Sequence, residues 1–359
     1  MKWFDRTSIG MIANETKGAI VFAGSPAEAA IGLGHTEVAA MQDLSRRTFE
    51  SAGLGPYDKV LFAIRREGAP SVELLVQAIA SSVDNVAVAS PKGRLRLLST
   101  IRALKPNVLV TTPCGAADFL ARLYMEFNVD PVELELTKIV LVGEIASPGL
   151  RKRLAKEFEA EISEVYCDPV FGAALAARRG GGAWHLAEPG ALTLAALEHD
   201  EIVGEGLDGQ GELLLRPVWA PALGAAAIRT GEVVQGVAGD AGLFNHTVGE
   251  HVLARGQWVS LPLLRRQLKL IDGISRWSLT IERGDRTLDS VVLTVGFDRE
   301  TLVNNPMWKG RIQQAIAAAT PIHVDVRTEL RTPDDGLLPE AVIDLRGHHL
   351  GVSRKSVAR

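Results

Sequence analysis

Cysteine is scarce in this sequence, with only Cys114 and Cys167 among 359 residues. That excludes a disulfide framework and leaves no set of thiolates for a structural zinc site. Long hydrophobic runs are missing too. No window reaches the ~18–20 apolar residues that a membrane-spanning helix needs. Asp5 and Arg6 interrupt the stretch Met1 to Ile12, so it does not read as a signal peptide. A cytoplasmic location and no membrane partner are the expectations. A strong charge of one sign is also absent. The net charge is −4, which gives no general attraction to nucleic acid. The basic tail Arg354, Lys355 and Arg359 reads as a solvated terminus.

The hydrophobic fraction of 47% and the charged fraction of 23% are those of a globular chain. Its length suits two domains better than one core. Short apolar segments alternate with helical ones from Gly18 onward. Strands are expected at Gly18 to Phe22, Lys59 to Ile64, Val86 to Ala89, Val108 to Thr111, Lys138 to Val142 and Glu161 to Tyr166. Helices are expected from Thr36, as N-cap, to Ala52, and over Ser71 to Ser81, Arg94 to Leu104, Ala116 to Phe127 and Pro148 to Phe158. This alternation predicts a largely parallel sheet with helices on both faces. Beyond Trp184 the pattern changes to antiparallel strands at Ala191 to Ile202 and Gly211 to Pro217. Gly236 to Gly249 holds four glycines and reads as a linker. A compact pattern follows: helices at Leu261 to Leu270 and Lys309 to Ala318, strands at Trp277 to Glu282, Ser290 to Gly296 and Ile322 to Arg327. The expected fold is therefore α/β, with a large mixed-sheet domain over 1–249 and a small, mobile α+β domain over 250–359.

Four segments in order carry a resemblance. They are Leu104-Lys105-Pro106-Asn107-Val108-Leu109-Val110-Thr111-Thr112-Pro113, then Val142-Gly143-Glu144 with the helix after it and Val165-Tyr166. Gly211-Glu212-Leu213-Leu214-Leu215 with Ala227-Ile228-Arg229-Thr230-Gly231-Glu232 comes next, and Arg255-Gly256-Gln257-Trp258-Val259 last. Together they resemble the phenylacetate–CoA ligase branch of the adenylate-forming (acyl-CoA synthetase) superfamily. The resemblance runs from about Gly18 to Arg346. It implies an AMP-forming acid–thiol ligase: ATP with Mg²⁺ and a small carboxylic acid give an acyl-adenylate. Coenzyme A or a carrier-protein thiol then takes the acyl group, and the small domain turns about the linker between the two steps. The alternative is a relative that binds an acyl or aryl compound, or a partner enzyme, without ATP chemistry.

The same resemblance assigns roles residue by residue. Glu144 belongs to the nucleotide-side turn, where Val142-Gly143-Glu144 departs from the family's glycine-rich form. Tyr166 matches the tyrosine beside adenine in a Tyr-Gly-x-x-Glu turn. The magnesium-holding glutamate is replaced by Val170, and Asp168 either supplies a carboxylate from two residues earlier or is only a turn residue. Glu232 stands for the aspartate that grips the ribose, and Arg229 either faces a phosphate or forms an ion pair at a strand end. Arg255 and Gly256 open the small domain, the glycine letting a thiol-bearing arm pass close to the backbone. Glu250 loosely matches the hinge residue.

The triphosphate loop, Ala23 to Gly32, lacks lysine and threonine, Pro26 removes one N–H donor, and Glu28 adds the wrong sign. Gly336 to Asp344 lacks the family's C-terminal lysine. Cys114 reads as a buried small hydrophobe, since no histidine partner is identifiable, and His348-His349 as an exposed turn. The N-terminal segment before the loop is short. It is expected either to thin the acyl pocket or to leave an apolar face for a second copy in a homodimer.

Adenylation develops charge on the leaving pyrophosphate, and fixed positive charge is its main catalytic offset. Each lost donor typically costs about 2.7–4 kcal/mol, roughly 10²- to 10³-fold in rate. With two such cations missing, acid-dependent pyrophosphate exchange should fall far below about 1 s⁻¹. Exchange at that rate with any small acid of an aryl and acyl panel would show that another cation, Lys17, Arg255 or Lys355, has taken over.

Overall fold

The computed structural model describes residues 1–6, 8–9, 20–23, 30–64, 72–91, 93–204, 209–223, 225–234, 245–283, 288–330 and 340–357. A seven-stranded sheet forms its centre, in the order His185–Leu186, Ala174–Arg179, Glu161–Cys167, Lys138–Val142, Val108–Thr111, Lys59–Ala63 and Asn85–Val88. The last five are mutually parallel, and Ala174–Arg179 returns antiparallel to Glu161–Cys167. Side chains alternate across such strands. Leu61, Leu109, Ile139 and Leu141 pack on one face with Phe119, Leu154 and Phe158. Phe62, Val110, Val140 and Val142 pack on the other with Phe49 and Ile79. Both faces are covered, so these strands read as unbroken apolar runs.

The helices begin and end for local reasons. Pro113–Arg122 is capped by Thr112, whose Oγ1 accepts from the Gly115 N–H at 3.0 Å, with Pro113 in the first turn. Pro148–Phe158 repeats the device with Ser147 and Pro148. Arg94–Leu104 stops at Lys105, which takes the left-handed conformation ahead of Pro106. Thr36 is not the N-cap of the first long helix. That helix spans His35–Ser51 with Gly34 as the cap, because Glu37 reaches back to the Gly34 N–H at 2.7 Å. The helix expected from Ala116 begins earlier, at Pro113, and passes into a π-helical turn at Leu123–Phe127.

A second, six-stranded sheet contains Lys2–Asp5, Ala226–Val234, Gly211–Leu215, Leu192–Ala195 and Ile202–Gly204, with His246–Thr247 added on Ala226–Val234. Ala191 to Ile202 is thus not one strand but a hairpin of two. The N-terminal strand Lys2–Asp5 carried no sequence signal. It lies parallel to Ala226–Val234 and sets Asp5 opposite Arg229. Ile20–Ala23 and Ala30–Leu33 form a hairpin whose connection, including Pro26 and Glu28, lies outside the described residues. So do 236–244 of the expected linker and 336–339 of the lysine-free segment.

After Glu250, His251–Ala254 and Gln257–Ser260 pair as a hairpin. Its two-residue turn is Arg255-Gly256, with φ of 53° and 69°, the left-handed pair that a tight hairpin turn needs. A four-stranded sheet follows in the order Asp325–Leu330, Ser290–Phe297, Ile274–Glu282 and Glu340–Asp344, covered by Leu261–Leu268 and Pro306–Ala319. Its hydrophobic core is drawn entirely from residues beyond Val252. Among the described residues, no helix is long and apolar enough to cross a membrane.

Phe297 is fully buried in that last core beside Trp277 and Leu293. Phe297→Ala should lower unfolding stability by about 3–5 kcal/mol in urea denaturation. A loss below about 1 kcal/mol would mean the sheet is not packed as described.

Candidate functional site

In an open parallel sheet the crevice outside the carboxyl ends of the strands is where side chains converge on a ligand. Here Thr112 and Cys114 follow Val108–Thr111, Glu144 follows Lys138–Val142, and Asp168 follows Glu161–Cys167. Glu144 is buried, and its Oε2 accepts the Cys114 N–H at 2.7 Å, placing a carboxylate at a helix N-terminus. The Arg255-Gly256 turn seats on this edge. A Cβ added at Gly256 would fall 2.9 Å from Thr112 Cγ2 and 3.7 Å from Glu144 Cγ, so only glycine fits there.

Asp289 ties the contact together. Its carboxylate accepts from the Arg255 N–H at 3.1 Å, from Arg283 Nε at 2.5 Å and from Arg346 Nη1 at 2.6 Å. The Asp289 N–H in turn donates to Cys114 Sγ at 3.4 Å, and Arg255 Nε donates to the Asp289 carbonyl at 2.6 Å. Arg346 is also held by Asp344 and by the Leu253 carbonyl. Burial pushes Asp289 up, but Arg283 and Arg346 outweigh it and hold the carboxyl below its ordinary value. Burial, with Asp289 nearby, pushes Glu144 well up. Burial and the same two carboxylates raise the Cys114 thiol far beyond the neutral range, which keeps it protonated. Ligand atoms of Cys114, Glu144 and Asp289 lie within 4.8 Å of one another. Both Asp289 oxygens are already bonded to arginines, which makes the cluster an ion-pair network rather than a metal site.

Beside this contact lies a cavity of about 160 Å³. Ala63, Ile64, Leu97, Leu109 and Phe119 supply its apolar wall, and Thr111, Thr112, Cys114, Arg255 and Gln257 its polar one. Residues from the parallel sheet and from the Arg255-Gly256 hairpin thus enclose one space.

The residues expected to hold nucleotide are engaged differently. Tyr166 donates its hydroxyl to Glu232 Oε2, and both side chains are buried. Burial, and then Glu232, raise the Tyr166 phenol, and burial raises Glu232 to about 8 against the opposing pull of Tyr166 and Arg6. Asp168 is fully buried and accepts the N–H groups of Val170, Phe171 and Ala173 at 3.0, 2.7 and 2.8 Å. It is the turn residue of the two alternatives. Burial lifts it to about 6, with the backbone donors pulling it down. Arg229 pairs with Glu212 at 2.7 Å and with Asp200 at 3.2 Å, and it donates to the carbonyls of Ala196 and His199. In this structure it forms the ion pair of its two alternatives. Glu250 pairs with Arg265 at 2.6 Å. His348 and His349 are half-buried rather than exposed, since the tail runs along Thr247, and burial lowers both to about 4.

Several residues carried no signal in the sequence. Arg6 lies over the Trp258 ring at 4.2 Å, its buried Nη1 has no hydrogen-bond partner among the described residues, and burial lowers it to about 10. Asp289, Arg283 and Arg346 belong to no motif, and pairing across 175 residues with Cys114 is invisible to spacing. Arg354, expected in a solvated tail, instead reaches back to Glu212 at 2.8 and 3.0 Å, because the buried Glu212 carboxylate needs a cation.

No protein-family model matches the sequence, and no curated protein sequence matches it. Solved structures do. A structure of 2-hydroxyisobutyryl-CoA ligase in complex with 2-HIB-AMP and CoA in the thioesterification state superposes with a TM-score of 0.73 at 13% identity, over 88% of this chain and 71% of that one. The same ligase in the postadenylation state with 2-HIB-AMP gives 0.61 at 14%, over 96% and 80%. A malonyl-CoA ligase ternary product complex with methylmalonyl-CoA and AMP gives 0.57 at 14%, over 85% and 68%. The chain has the mixed α/β fold of these enzymes; the alternation of the sequence predicted the α/β class, and the resemblance the adenylate-forming type.

The buried Glu232 has a measurable consequence. Between about pH 4.5 and 8 the folded chain keeps a proton that the unfolded chain releases, so stability falls as pH rises across this window. Glu232→Gln should flatten that slope and stabilise the protein at its alkaline end. Urea denaturation at both ends of the window reads it, and an unchanged slope would show that Glu232 titrates normally.

Proposed function

We propose that the protein binds a small carboxylic acid, aryl or short acyl, and a thiol partner at the contact between the sheet edge and the Arg255-Gly256 hairpin, and that it serves the thioester-forming half of an AMP-forming acid–thiol ligase reaction. The cavity that the two parts enclose carries this reading. In that half-reaction the thiol sulfur attacks the acyl carbonyl, the acyl–phosphate bond breaks, AMP leaves and the thiol proton is released. The TM-score of 0.73 with a ligase in its thioesterification state, against 0.61 with the same ligase in its postadenylation state, supports it. Coenzyme A and a carrier-protein thiol both satisfy the chemistry. The division of the chain into 1–249 and a small mobile part from Glu250 belongs to this proposal, as does the finer resemblance to the phenylacetate–CoA ligase branch.

A second reading, a relative that binds acyl or aryl ligands without ATP chemistry, is favoured by the other side of the molecule. Glu232 already accepts from Tyr166 through Oε2, so a ribose would have to share that buried carboxylate. For Arg229 to meet a phosphate, a buried pair with Glu212 must break, and breaking such a pair costs about 3–5 kcal/mol. Magnesium does not fit either. Asp168 spends both oxygens on backbone N–H groups, and Val170 offers no ligand.

Calorimetry with an acid panel, coenzyme A, AMP and ATP with and without magnesium separates the readings. Acid-stimulated ATP turnover selects the complete ligase, and acid or thiol binding without it selects the second. Gly256→Ala should weaken coenzyme A binding at least about tenfold, because the added Cβ strains the turn and meets Thr112. Unchanged affinity would remove the hairpin from the thiol site.

A further inference from the structure

After the strand Glu340–Asp344 the chain ties two parts of the molecule together. Arg346 holds Asp289 and the Leu253 carbonyl, both in the part that begins at Glu250. The residues after it run along 246–249, which immediately precede Glu250. The Thr247 N–H donates to the His348 carbonyl at 2.7 Å, the Leu350 N–H to the Thr247 carbonyl at 2.9 Å, and the Gly249 N–H to the Gly351 carbonyl at 3.0 Å. His246 Nδ1 lies 3.0 Å from the Gly347 carbonyl, and Thr247 Oγ1 lies 3.1 Å from His349 Nδ1. The run ends in Arg354, whose guanidinium forks onto both oxygens of Glu212 in the six-stranded sheet, at 2.8 and 3.0 Å.

Each of these bonds from 347–354 joins residues that lie on opposite sides of Glu250 in the chain. A turn of the small part about Glu250 that carries 347–354 with it breaks all of them. The Arg354 fork is the strongest, because a bidentate pair between guanidinium and carboxylate combines charge with fixed geometry. Glu212 is fully buried, so the departure of Arg354 removes one of the two cations that compensate it, the other being Arg229. Gly249 has a φ of 96°, and a Cβ added there would fall 3.4 Å from Arg354 Nη2. The guanidinium therefore packs directly on the backbone beside the pivot.

We propose that residues 347–354 form a latch that holds the small part docked on the sheet edge, and that the Arg354–Glu212 pair opens before the small part can turn. The inference rests on the acid–thiol reading, in which the small part is mobile, and it assigns the control of that site's closure. The two cysteines report on it. Cys114 is 1% exposed and is covered from the small part by Asp289, whose N–H it accepts. Cys167 packs on the core of the seven-stranded sheet. Undocking uncovers the first and leaves the second in place.

The test is native-state labelling of the full-length protein with iodoacetamide, read by mass at each cysteine. Labelling of a covered thiol tracks the population of the open form. Arg354→Ala and Arg354→Gln both leave Glu212 paired with Arg229, so the fold has a compensated carboxylate to rest on. In both, Cys114 should label at least about tenfold faster than in the unsubstituted protein, while Cys167 keeps its rate. Lys355→Ala, at an exposed neighbour, should change neither. Unchanged Cys114 labelling in both Arg354 variants would overturn the latch. A rise at both cysteines together, which marks general unfolding, or an equal rise in Lys355→Ala would overturn it as well. The labelling uses no acid, nucleotide or coenzyme A, so the latch can fail while calorimetry upholds the acid–thiol function, and the reverse.

Discussion

The carboxylate of Asp289 is the constraint on which the candidate site depends. It is fully buried, and it meets Arg283, Arg346 and the Arg255 backbone at once. A lone carboxylate in that position would be intolerable. Paired as it is, it fixes the Arg255-Gly256 turn on one side, and its own N–H reaches Cys114 on the other. The cavity wall therefore has a defined shape, because the backbone on both sides of it is tied to the same residue.

A comparable network surrounds Glu212. Glu212 is fully buried and accepts from Arg229, from the Gly231 N–H and, in a bidentate pair, from Arg354 of the C-terminal tail. The tail residues 348–351 also exchange backbone hydrogen bonds with Thr247 and Gly249. The segment around Glu212 is thus held by internal pairing.

Much of the fold was legible. Apolar runs such as Lys138–Val142 and capped helices such as Pro148–Phe158 follow from local chemistry, and the parallel order follows from their alternation. The site was legible only where a motif is contiguous. Glu144 and Gly256 were placed by their motifs, and the structure brings them together. Arg229 and Asp168 were found by position, but which of two roles each plays depends on neighbours that the local sequence does not specify.

By itself the sequence determined the α/β alternation, the change of pattern after Trp184 and the absence of lysine from two segments that resemble phosphate-handling ones, since these depend only on residue type and period. The tertiary structure alone decided the rest. Lys2–Asp5 becomes a strand because Ala226–Val234 offers it an edge, Arg354 finds Glu212 through chain reversal, and Gln257 Oε1 has no partner among the described residues. Hydrogen bonds and ion pairs between residues far apart in the chain leave no period or spacing in the sequence, so only the packed molecule shows which polar groups remain free.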